Sequence, residues 1–296
     1  MFRHVIVGVD GGPTGRDAVA VAKLLVAPDT RLALAHVYEL TPFRGASGAY
    51  GVAEHDESMR LLEQEREAIA VGAELITVTA SSVGRGLHYL AETQGADLLT
   101  VGSSARSLAG RVLVGDVTRA SLIGAPCAVA VAPLGYAQEV RAIAKIGVGY
   151  DGSPESEAAL AFARELAALH GAAVTALTVV EPSPYAGLIR AVARGYTPEK
   201  ALAEAKDDLA ALDGVDGELA SGLAGEELAA FGAHLDLLIV GSRGYGPIRR
   251  LMLGSTSAHL ASNARCPLLV LPRLADDEVD PQVGKDDEHP AASPSS

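Results

Sequence analysis

Gly241-Ser-Arg-Gly244 is followed, after nine residues, by Gly254-Ser255-Thr256-Ser257, which sets close-approach glycines and a row of hydroxyls around the space one phosphate chain would fill. Without a Cβ, glycine lets backbone N–H groups approach an anion, and a helix opening after the Gly-Ser step adds unpaired N–H groups and the positive end of its dipole. The chemistry expected is nucleotide-phosphate binding. The elements that must hold it flank the motif. Leu235-Asp-Leu-Leu-Ile-Val240 has the length and composition of a buried parallel strand, and Ala258-His-Leu-Ala261 reads as helix. Asp151 closes another apolar run, Lys145-Ile-Gly-Val-Gly-Tyr150, and Val179 lies near the end of a third. In an open parallel sheet ligands sit beyond the carboxyl ends of the strands where the winding reverses, so Asp151, Val179 and Gly241 are expected to converge. Taken singly, the glycines read as a tight strand exit and Asp151 as a turn or capping aspartate; their joint occurrence favours a ligand.

The chain repeats itself. His4-Val-Ile-Val-Gly-Val-Asp-Gly11 returns as Lys145-Ile-Gly-Val-Gly-Tyr-Asp-Gly152, Asp97-Leu-Leu-Thr-Val-Gly102 as Asp236-Leu-Leu-Ile-Val-Gly241, and Cys127 and Pro133 as Cys266 and Pro272. A period of about 140 residues is too long for a solenoid, so each copy should be a domain with its own core. Strand and helix signals alternate in both copies, which predicts two tandem doubly wound parallel five-stranded α/β sheets. Strands are expected near 3–9, 31–37, 74–79, 97–101 and 128–132, and again near 144–150, 173–180, 216–220, 235–240 and 267–271. Ser153-Pro154 and Thr197-Pro198 signal helix starts. The polar, glycine-rich stretch from Thr41 to Gly51 reads as a loop before the first copy's second helix. Residues 188–194 read as a short helix that either covers the ligand cleft or packs on the other domain. The domains expected are 1–135 and 142–274, followed by an acidic tail, 275–296.

The glycine spacing resembles the ATP-binding motif of the universal stress protein family, G-x2-G-x9-G-[S/T], at every defined position. The resemblance extends over residues 143–273, from Lys145–Ser153, similar to the family's first strand and its terminal Asp, to Cys266-Pro-Leu-Leu-Val-Leu-Pro272, similar to its last. It implies an adenine nucleotide alpha hydrolase-like fold, with Asp151 on the ribose, Val148, Gly149 and Tyr150 beside it near the base, and Val179 on the adenine. It also places Gly241, Gly244, Gly254, Ser255 and Ser257, with Thr256 between the last two, on ribose and phosphates. ATP is the cofactor expected, with Mg²⁺ bridging phosphate oxygens and water held by Asp151. The resemblance further implies that each half pairs through its last strand, 128–132 with 267–271, as an intrachain pseudo-dimer, and that chains assemble into homo-oligomers.

The first copy departs from the motif. Ala105 stands at the second glycine and Asp116 at the hydroxyl, so its nucleotide site is expected to be degenerate: a carboxylate about 4 Å from a phosphate charge repels it by roughly 1–4 kcal/mol. The alternative is that this copy binds something smaller or uncharged.

Other classes are set aside on the residues themselves. Gly147-Val-Gly-Tyr-Asp-Gly152 fits G-x-G-x-x-G, but its first two glycines lie inside the expected strand and no acidic residue closes the following one. There is no G-x-x-x-x-G-K-[S/T]. The formal charge of −13 disfavours nucleic acid, which is bound by cationic side chains. Residues 274–296 hold seven acidic residues against the single Lys285 and no aromatic, the composition of a disordered segment. No apolar run approaches the length of a membrane span and no signal-peptide pattern opens the chain, so a cytoplasmic location is expected. The two cysteines recur by duplication, which does not argue for pairing, and no histidine–cysteine spacing supports a zinc site. Arg243, Arg249 and Arg250 either neutralise phosphates or are simply solvated. No lysine or carboxylate is tied to the loop as rapid phosphoryl transfer would require, so a binding protein is expected rather than an enzyme. Slow ATP hydrolysis or autophosphorylation on Ser255 or Thr256, and a nucleotide-free interaction protein, remain the alternatives.

Overall fold

The computed structural model describes residues 1–39, 48–69, 72–104, 112, 115–139, 142–181, 198–242, 251 and 254–272. Ten strands alternate with helices: β1 (Phe2–Gly8), α1 (Pro13–Leu25), β2 (Val26–Glu39), α2 (Gly48–Ile69), β3 (Glu74–Ala80), α3 (Val83–Gln94), β4 (Leu98–Gly102), α4 (Asp116–Leu122) and β5 (Ala128–Ala132). The second series is β6 (Lys145–Gly149), α5 (Pro154–His170), β7 (Ala173–Val180), α6 (Pro198–Ala210), β8 (Asp216–Ser221), α7 (Ala224–Phe231), β9 (Leu237–Gly241), α8 (Ser255–Asn263) and β10 (Leu268–Leu271).

The strands form one sheet in the order β3-β2-β1-β4-β5-β10-β9-β6-β7-β8. Each half is parallel and doubly wound, as its alternating pattern requires, and the halves join where β10 runs antiparallel to β5, Leu269 opposite Ala130. The two predicted five-stranded sheets are thus continuous, through the strand pairing that the resemblance implies. Strand alternation sends Ala128, Ala130 and Ala132 to one face and Val129 and Val131 to the other. One core cluster fills the face covered by α1, α2, α5 and α6, the other that of α3, α4, α7 and α8, and each draws on both copies. Fully burying one Leu, Ile or Val side chain contributes about 1.5–3 kcal/mol, so a shared core resists separation of the halves.

Two expectations are corrected. β2 begins at Val26, not 31, because the chain leaves α1 directly into the sheet; the register is irregular between Phe2 and His4, and Thr30 Oγ1 donates to the Phe2 carbonyl at 2.9 Å. Helix α2 begins at Gly48, inside the predicted loop, so the long helical run downstream overrides the low propensity of Gly48 and Gly51. Residues 40–47, segment 182–197, Gly244, Ala105, the three loop arginines and the tail from 273 lie outside the described residues. Among the described residues, no helix is long and apolar enough to cross a membrane.

Asp17, in α1, is 1% exposed and accepts the N–H groups of Gly135 and Ala137, each at 2.7 Å, fastening the turn that leads to the second copy. Burial pushes its carboxyl up, against the pull of the two donors. Asp17→Ala is expected to destabilise the chain by about 1–3 kcal/mol through the abandoned donors, measured as a lowered midpoint in urea. Cys127 and Cys266 are free and buried, and burial pushes both thiols up to about 12. Neither should react with iodoacetamide at pH 8 until the fold opens. Because folding favours the neutral thiols, this contribution to stability is complete below about pH 9 and is lost as the pH rises towards 12.

Candidate functional site

β6 ends in Tyr150-Asp151-Gly152-Ser153, and the turn is held by its own side chains. Ser153 caps α5, its Oγ accepting the Ser156 N–H at 3.2 Å. Its N–H and hydroxyl donate to Asp151 Oδ1 at 3.2 and 2.5 Å. Gly152 takes φ +72° with no neighbour among the described residues within 4 Å of an added Cβ, so what calls for glycine here is the backbone conformation. Thr178, in β7, donates its hydroxyl to the Tyr150 carbonyl at 2.9 Å, tying two strand ends together. The Tyr150 hydroxyl donates to Glu157, and that bond, with burial, raises the phenol to about 12.

Beyond these ends lies a cleft of about 990 Å³ at the point where the winding of the second half reverses, between β6 and β9. It is at the upper end of the size range for small-molecule sites. Of the residues expected at a ligand, Gly149, Tyr150, Asp151, Val179, Gly241, Gly254, Thr256 and Ser257 line it. Val148 does not: it is fully buried in the core, deeper along β6 than Gly149 and Tyr150 at the strand's end. Ser255 is exposed at the first position of α8 and does not line it, because each helical residue turns about 100° from the last and Thr256 and Ser257 take the inward positions. Gly254 is the N-cap of α8 in extended conformation, and Ser257 Oγ donates to its carbonyl at 3.2 Å.

Gly241 has a reason the sequence did not disclose. A Cβ there would stand 2.7 Å from Glu155 Cβ and 2.9 Å from the Glu155 carbonyl carbon and oxygen. The start of α5 crosses directly over the end of β9, and only glycine fits beneath it. Gly102 sits under Thr14 in the same way.

Sequence reading also missed the acidity of the cleft. Glu155, Glu181, Glu204 and Asp208 line it with Asp151, and no lysine or arginine is among these lining residues. Glu204 and Asp208 are four apart on α6, so the spacing that puts them on one face was readable; that this face meets the cleft was not. Among the described residues no cluster of three or more His, Cys, Asp or Glu could by itself hold a metal ion.

The first copy repeats the turn, with Asp10 accepting the Gly12 N–H at 2.9 Å and the Thr14 hydroxyl at 3.1 Å. Its surroundings differ. Leu61 of α2 would stand 2.8 Å from a Cβ on Gly11, where the equivalent Gly152 has no neighbour within 4 Å among the described residues. Arg16 pairs in a fork with the buried Glu65, at 2.9 Å, binding α2 to α1. Leu61 of α2 thus approaches the first turn at Gly11, although Asp10 and Gly11 remain as exposed as Asp151 and Gly152. Asp116 is exposed at the start of α4, the position equivalent to Ser255.

The duplicated turn, the doubly wound halves and the glycine spacing agree with the family model for universal stress proteins, which matches residues 1–133 and again 143–272. The chain belongs to that family. It carries two universal stress protein units in tandem. A universal stress protein of Thermus aquaticus is 36% identical over 137 residues, 42% of this chain and 95% of the relative, as expected if one unit of the tandem matches a single-unit protein. Among solved structures, a universal stress protein from Archaeoglobus fulgidus is similar over 90% of this chain and 97% of its own, with TM-score 0.65 and 16% identity. A putative universal stress protein from Pseudomonas aeruginosa is similar over 92% and 94%, with TM-score 0.58 and 18% identity. At these identities the similarity concerns the fold.

Proposed function

We propose that this universal stress protein is a cytoplasmic regulatory binding protein that holds one adenine nucleotide, ATP with Mg²⁺, in the second unit. The convergence of Asp151, Val179, Gly241, Gly254, Thr256 and Ser257 on one cleft at the strand ends carries the reading. The α8 N-terminus offers phosphate its unpaired N–H groups, and Gly254 keeps side-chain bulk away from them. The described lining of the cleft is acidic, which fits a nucleotide taken up as its magnesium complex: Mg²⁺ binds through one or two carboxylates plus phosphate oxygens and water, and would relieve the repulsion between Asp151 and the phosphates. Binding rather than turnover is favoured, because no cationic side chain among the described lining residues is placed to stabilise a transferring phosphoryl group. Assembly of the chain into homo-oligomers belongs to the same proposal and rests on the family resemblance.

Mass spectrometry of small molecules released from the native protein, with calorimetric titration by Mg·ATP, tests the proposal. One site per chain is expected. Two equivalent tight sites would overturn the asymmetry, and absence of binding would overturn the function. Because Leu61 of α2 stands beside Gly11, where Gly152 has no described counterpart, Ala105→Gly with Asp116→Ser is expected to leave the stoichiometry at one.

A further inference from the structure

We propose that the first unit positions helix α8 and so sets the nucleotide affinity of the second, an inference that rests on the function proposed above. Leu251 lies three residues before the α8 N-cap, Gly254, and is fully buried. Its N–H donates to the carbonyl of Ala125 at 2.8 Å, and its carbonyl accepts the N–H of Gly124 at 2.9 Å; both partners belong to the first unit. Three residues span roughly 10 Å at most, so pinning Leu251 confines the helix start. At the other end, the α8 C-cap residue Ala264 accepts the N–H of Val112, again from the first unit, at 2.8 Å. Val112, 1% exposed, occupies in the first loop the place that Leu251 holds in the second, and Ala125 corresponds to Ala264. Each unit therefore lends its glycine loop to hold the other's helix end, in a reciprocal exchange.

The consequence is specific to α8, which offers Gly254, Thr256 and Ser257 to the cleft. Between its ends, Leu260 and Ala261 are buried in a cluster that includes Leu122 and Val129 of the first unit. A helix fixed at both ends and along one face presents its N–H groups without further loss of conformational freedom when the ligand arrives, and such preorganisation raises affinity. A first unit with an altered nucleotide site keeps this task.

The test uses full-length Leu251→Ala, Val112→Ala and, as reference, Asp17→Ala, which loosens the linker turn without touching α8. Mg·ATP titration and amide hydrogen exchange within α8 are read on each. The expected result is a Kd at least about fivefold weaker, the lower end of ordinary coupling between sites, and faster α8 exchange in the first two variants, with both quantities unchanged in Asp17→Ala. Wild-type affinity in folded Leu251→Ala and Val112→Ala overturns the inference, as does equal weakening in Asp17→Ala. If Leu251→Ala does not fold, Val112→Ala decides. A wild-type chain that takes up no nucleotide overturns the proposed function instead. Exchange then decides the positioning, and unchanged α8 exchange in the variants overturns it.

Discussion

Gly241→Ala is expected to lower the melting temperature by several degrees and to remove nucleotide binding in the same variant. The added methyl would meet the Glu155 main chain at 2.9 Å, closer than carbon atoms pack, and a carbonyl group cannot rotate away as a side chain does. Either β9 or the start of α5 must shift. Overpacking of this kind costs about 1–3 kcal/mol, and each kcal/mol moves the midpoint by roughly 2–4 °C in a chain of 150–250 residues. Both elements border the cleft, β9 through Gly241 itself and α5 through Glu155 and Ser156, so the displacement reaches the ligand directly. Differential scanning calorimetry and Mg·ATP titration check the two halves of the expectation. A variant with native melting temperature and native Kd would show that the helix can give way without consequence.

Asp151→Ala is expected to weaken nucleotide binding by roughly 10- to 150-fold, the worth of one hydrogen bond to a charged group, about 1.5–3 kcal/mol. Asp151 also has a local task, since its Oδ1 holds the Ser153 N–H and hydroxyl. The first unit separates the two roles. Asp10 makes the same kind of turn, to Gly12 and Thr14, in the unit whose glycine motif is altered. Asp10→Ala should therefore lower stability while leaving the Kd for nucleotide unchanged, whereas Asp151→Ala should change both. If the two variants lose only stability, Asp151 is a turn residue and the ligand reading of it is wrong.

Much of the fold was legible in the residues because its signals are local. Apolar runs such as Leu235–Val240 need only their length and composition to read as buried parallel strands, and Ser153-Pro154 marks a helix start by the hydrogen bond the serine makes and the ring geometry of proline. Repetition then fixed the number of units, since the same run ending in Asp-Gly occurs at Asp10 and Asp151. The local order at Gly48–Gly51 was misread for the complementary reason: helix propensity is weak beside the cooperative extension of a neighbouring helix.

At the site, residue identity reached as far as Asp151, Val179, Gly241, Gly254, Thr256 and Ser257, because spacing along one chain limits which strand and helix ends can meet. Which neighbour of a given strand or helix end faces the cleft was beyond it. Val148 and Ser255 lie outside the lining, Val148 because it sits deeper along β6 and Ser255 by one residue of helical phase, which only the packing of β6 and α8 against the rest of the sheet determines. The acidity contributed by Glu204 and Asp208, the approach of Leu61 to Gly11, and the grip of Ala125 and Val112 on the two ends of α8 join segments far apart in sequence. The sequence by itself determined the type of each element, their order and the duplication, all of which follow from short-range patterns. Contacts between distant segments depend on how whole helices lie on the sheet, which no short-range pattern encodes, and so tertiary structure alone decided which residues line the second unit's cleft and what holds it in shape.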